Sequence, residues 1–124
     1  MESYYEILGG EETIQKLVNS FYPRVYSDPD LSPLFLGDME EVKRKQKMFL
    51  TQFLGGPKLY SEEFGAPVMK YRHLNFEITP RRAQAWLKYM KEAMDEAELE
   101  GEAREFFYER LTEIAHFFVN SENK

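Results

Sequence analysis

The sequence predicts an all-α protein, and three observations carry that prediction. Apolar residues recur at helical spacing in successive stretches, glycines and prolines punctuate the stretches, and no run alternates apolar and polar residues over a useful length. The 124 residues suit a single domain, 1–124, with no internal linker, repeat or low-complexity tract.

Gly9-Gly10 breaks the chain after a short N-terminal turn, and Glu11 and Glu12 follow as acids suited to the positive end of a helix. Ile14, Leu17, Val18, Phe21, Tyr22 and Val25 then form a helical stripe. Pro23 lies inside that stripe and predicts a kink or an irregular turn. The turn residues of "SDPDLSP" end the helix. A second helix is expected from about Met39 to Leu54, with Val42, Phe49 and Phe53 on its stripe and Leu50 beside it. Gln46 interrupts this stripe, four residues after Val42 and three before Phe49, and Lys45 flanks the same face. Gly55-Gly56-Pro57 stops the helix.

Lys58 to Pro67 reads as a loop containing Tyr60, and Val68 to Leu74 as a short helix carrying His73. Thr79-Pro80 is a strong helix start, an N-cap followed by proline at the first position. Ala83, Trp86, Leu87, Met90 and Met94 give that helix an apolar face, and Gly101 is expected to break it. The last helix carries Phe107, Leu111, Ile114, Ala115 and Phe118.

A net charge of −6 and a pI near 5.0 argue against nucleic acid and against anionic membranes as partners. With no cysteine, the chain has no disulfide, thiolate metal site, cysteine nucleophile or haem attached through a C-x-x-C-H motif. "MESYYEILGG" has no basic segment leading into an apolar run, and no apolar stretch approaches the ~20 residues of a membrane span. The expectation is a soluble cytoplasmic protein, a monomer or weak homodimer. Aromatic residues at 15% could line a large apolar ligand as well as a core.

Few residues carry chemistry. A lone histidine such as His73 more often bonds a neighbouring carbonyl than a metal, and it cannot build a zinc site alone. It can be the single protein ligand of haem iron, because the porphyrin supplies the other four nitrogens. His116 competes for that role, although it sits beside the apolar face of the last helix. Tyr22, Gln46 and Trp86 come from three different helices, and each brings a polar tip to an apolar face. Taken singly, each is ordinary core packing or, for Gln46, a slight helix rotation towards solvent. If they converge, they offer an O–H, an amide N–H and an indole N–H in one apolar pocket, which suits a small electron-rich ligand. Lys45, Tyr60 and Arg72 read as solvated surface one by one, but together they could hold carboxylates at a pocket mouth.

The segments "SFYPRVYSDPDLSPLF", "KRKQKMFLTQFLGGP", "YSEEFGAPVMKYRHLNFEIT" and "AWLKYMKEAM", with the double glycines, span nearly the whole chain and resemble the truncated haemoglobins of the second group. The resemblance implies a two-over-two helical globin fold around non-covalent haem b. It carries over His73 as the iron ligand, Tyr22 as the distal tyrosine, Gln46 as a polar residue of the distal helix and Trp86 as the tryptophan typical of the group. Phe35 falls where a side chain packs on the haem face and some relatives have tyrosine. Lys45, Tyr60 and Arg72 match positions near the haem propionates. Val42 stands where vertebrate globins place a distal histidine and cannot donate to a ligand.

The function expected from these roles is high-affinity binding of dioxygen, with NO and CO as further ligands. Two good donors, each worth about 1.5–3 kcal/mol, slow release by roughly 10²–10⁴-fold. That favours ligand sensing or redox detoxification of NO or peroxide over oxygen transport. Weak peroxidase or NO dioxygenase turnover would need an outside reductant, and without a distal base the peroxidase rate should be low. The alternatives are a haem-free all-α interaction or sensor module with an aromatic pocket and, more weakly, a haem carrier.

Overall fold

The computed structural model describes residues 3–35, 37–65 and 77–119. The expected N-terminal turn is a five-residue helix, α1 (Tyr4–Leu8), because the Ser3 side chain accepts a hydrogen bond from the Glu6 amide at 3.2 Å. Gly9 and Gly10 take φ of +115° and +71°, so the chain turns directly from α1 into α2 (Gly10–Ser27).

The α2 stripe is buried as its spacing predicts, from Ile14 to Val25. Pro23 lies inside a continuous helix, so the irregular turn that the sequence allowed there does not form. Its ring is exposed, so it removes one backbone hydrogen bond without disturbing the buried face. A 3-10 turn, Ser32–Leu34, follows the fully buried Leu31.

α3 (Met39–Phe53) starts where Asp38 caps the Glu41 amide and ends one residue short of the expected Leu54. It packs on α2, and Lys47 reaches across to Glu11 at 2.9 Å and Gln15 at 2.8 Å. The stretch expected to be loop holds a helix, α4 (Leu59–Phe64). Its anchors are tertiary. Gln52 brackets Ser61, accepting from its amide at 2.9 Å and donating to its hydroxyl at 2.7 Å, and Tyr60 is buried edge-on to Phe49. The expected helix from Val68 to Leu74 lies outside the described residues.

Thr79 caps α5 (Pro80–Glu96) by accepting from the Arg82 amide at 3.1 Å. The helix ends before Gly101. Ala97 closes it, Glu98 adopts a φ of +61°, and Leu99 is buried, so Gly101 instead opens α6 (Gly101–Phe117). α2 packs on both α3 and α5, and α6 packs on α5, giving the two-over-two helical sandwich. Three ties join the end of α2 and the turn after it to α5. Arg24 meets Glu96 at 2.7 Å, the Tyr89 hydroxyl donates to Asp28 at 2.6 Å, and Asp30 pairs with Arg81 and Arg82. No helix among the described residues is long and apolar enough to cross a membrane.

Gly56 sits against the Tyr5 ring. A Cβ there would lie 2.8 Å from a ring carbon and 3.0 Å from the Thr51 carbonyl oxygen. Gly56→Ala should therefore destabilise the fold by about 1–3 kcal/mol, the usual cost of overpacking, and an unchanged urea midpoint would contradict that packing.

Candidate functional site

The sandwich holds an apolar cavity of about 290 Å³ that opens to the surface. α2 contributes Leu17, Val18, Phe21 and Tyr22, and α3 contributes Lys45, Gln46, Phe49 and Leu50. α5 adds Arg82, Ala83, Trp86 and Met90, and α6 adds Leu111, Ile114 and Ala115. Phe35, Tyr60, Ile78 and Phe118 complete much of the remaining wall. A mostly apolar wall with a few polar groups is the usual character of a small-molecule site.

Tyr22, Gln46 and Trp86 all line this one cavity, and none makes a side-chain hydrogen bond among the described residues. Tyr22 is 2% exposed, with Phe21 and Phe35 edge-on at ring-centroid distances of 4.8 and 5.9 Å. Burial, and secondarily the neighbouring Tyr26, pushes its hydroxyl pKa far above the usual tyrosine value, so it remains a protonated donor. Trp86 stands edge-on to Phe21 at 5.1 Å. Gln46 is half-buried and faces the cavity rather than turning away to solvent.

Of the mouth candidates, Tyr60 is buried and lines the cavity, whereas Lys45 is exposed and lines it with its ammonium 5.2 Å from the Phe64 ring centre. Phe35 is half-buried on the wall. Val42 is half-buried against the core one turn before Gln46 but does not line the cavity. His73 and Arg72 lie outside the described residues. His116 is exposed and does not share the cavity wall formed by its neighbour Ala115.

Sequence reasoning missed Arg82. It lines the cavity while its guanidinium holds Asp30 at 3.3 Å and the Glu77 carbonyl at 2.6 Å. The signal was its place one turn before Trp86 on the same helix face.

A bacterial-like globin family model matches residues 3–120. A group 2 truncated haemoglobin of Bacillus subtilis is 55% identical over 116 residues, covering 94% of this chain and 87% of its own. The chain is a group II truncated haemoglobin. Its structure overlays on the crystal structure of the group II truncated haemoglobin of Bacillus anthracis with a TM-score of 0.96 at 52% identity, covering 100% of this chain and 95% of that one. It overlays on a structure described as a truncated oxygen-avid haemoglobin, from Bacillus subtilis, with a TM-score of 0.91 at 54% identity, covering 96% and 100%. Membership implies a haem-binding globin that takes diatomic ligands. An apolar cavity holding three polar tips without partners among the described residues fits that group.

The buried Tyr22 has a pH consequence. Its folded pKa is raised, so its contribution to stability is present below the ordinary tyrosine pKa of about 10 and is lost as pH rises above it. Urea midpoints should fall above pH ~10, and fall less steeply in Tyr22→Phe. Equal alkaline slopes would show that Tyr22 is not a main source of the loss.

Proposed function

We propose that the chain holds haem b in this cavity through His73 and binds dioxygen, and related ligands such as NO and CO, with high affinity. The observation that carries the reading is the convergence of Tyr22, Gln46 and Trp86, from three helices, on one apolar cavity, with no partner for any of their polar tips among the described residues. A Bacillus subtilis relative of 54% identity is described as oxygen-avid, which supports the reading. The choice of His73 rests on the family motif around it and on the exposure of His116, the other histidine. Lys45, Tyr60 and Arg72 are assigned to the propionates, and Phe35 to apolar packing around the group, whereas Val42, expected there, stands off the cavity wall.

Haem, when bound, supplies a ferrous centre that takes diatomic molecules. The chain's part is to exclude water and aim donors at a polar ligand. A neutral Tyr22 donates and cannot act as a base, which argues against fast peroxidase turnover. Donors in a dry site also argue against rapid release, and so favour sensing or redox detoxification, with an external reductant, over transport. The globin family membership favours this reading over a haem-free interaction module.

The deciding experiment is the absorption spectrum after reconstitution with haem, in the ferric, reduced and oxygenated forms. A Soret band and an oxy form lasting many minutes are expected, and no Soret band would sink the proposal. Tyr22→Phe should speed dioxygen release about tenfold or more in stopped flow. His73→Ala should abolish stable haem retention, whereas loss of retention in His116→Ala instead would reverse the ligand assignment.

A further inference from the structure

Tyr26 has the one buried side-chain polar atom among the described residues without a hydrogen-bond partner. Its ring is half-buried, but its hydroxyl oxygen is sealed from solvent. It follows Tyr22 by one turn of α2, so both rings project from the same helix face. The ring centroids lie 6.5 Å apart, and Phe35 packs on both, 5.9 Å from Tyr22 and 6.1 Å from Tyr26. Tyr26 is not on the cavity wall, so it does not reach a ligand there itself.

A buried hydroxyl without a partner costs stability, and phenylalanine would fill the same space without that cost. Tyr22 has one proton to donate and spare acceptor capacity on its oxygen. If that oxygen accepts a hydrogen bond from a neighbour, its own O–H is left to point elsewhere. Phe35 cannot supply such a neighbour, having no hydroxyl.

We propose that Tyr26 is a positioning residue: its hydroxyl donates to the Tyr22 hydroxyl oxygen when a ligand occupies the cavity, and so aims the Tyr22 O–H at that ligand. The proposal rests on Tyr22 being a ligand donor. Burial raises the Tyr26 pKa, with the Asp38 carboxylate adding to it, which keeps the proton available for donation.

The test uses Tyr26→Phe, Tyr22→Phe and the double variant in the haem-loaded protein. Three quantities are read: dioxygen release by stopped flow, the C–O stretch of the carbon monoxide adduct by infrared, and the thermal midpoint without gas ligand. Tyr26→Phe should release dioxygen about two- to tenfold faster and shift the stretch, while its thermal midpoint equals or exceeds that of wild type. The double variant should match Tyr22→Phe in release rate and stretch, since Tyr26 acts through Tyr22. Wild-type release and stretch in Tyr26→Phe, or an equal effect of that substitution in both backgrounds, would overturn the proposal. So would a lowered thermal midpoint, because the hydroxyl would then have a structural partner already. If Tyr22→Phe itself changed neither release nor stretch, the donor role of Tyr22 would fail first, and this proposal with it.

Discussion

One face of α2 has to satisfy two demands at once. It must be apolar enough to hold α3 on one side and α5 on the other, and it must present Tyr22 to the space left between them. Ile14, Leu17, Val18, Phe21 and Val25 are each no more than 1% exposed, so they meet the first demand. Tyr22 occupies a position of the same stripe, and the packing of its neighbours fixes where its hydroxyl lies. A slip of α2 would move the core and the cavity wall together.

The cavity reverses the usual rule for buried polar groups. Interiors pair their donors and acceptors, because an unpaired one loses hydration and gains nothing in return. Among the described residues, Tyr22, Gln46 and Trp86 lack partners along one shared space, and Tyr26 lacks one just behind it. Distributed over the fold, such groups would look like flaws in packing. Gathered in one place and supplied by separate helices, they describe the electrical character of the molecule that would complete them.

The long helices were legible in the sequence because a 3.6-residue period leaves its mark on composition, and the caps at Asp38 and Thr79 are local. What escaped depended on contacts distant in the chain. α4 exists because Gln52 brackets Ser61 and Phe49 covers Tyr60, and neither shows in the stretch from Lys58 to Pro67 read alone. Pro23 reads as a kink or an irregular turn, but its exposure on a continuous helix held by five buried neighbours is a tertiary fact. Tyr22, Gln46 and Trp86 stood out as polar tips on apolar stripes, whereas their convergence required the fold. Tyr26 gave no such signal, since a tyrosine near the end of a helix is ordinary, and the signal of Arg82 was only its place one turn before Trp86.

The three ties between the end of α2 and α5 bear on Tyr22 and Trp86, which sit on those two helices. Arg24, Asp28 and Asp30 tie α2 to α5, so the packing of these two helices sets the spacing between the Tyr22 and Trp86 side chains. The entropy of ordering them is lost at folding, before any ligand arrives. A molecule entering the cavity would meet polar tips whose ordering cost folding has already met, and preorganisation of that kind lets more of each contact appear as affinity.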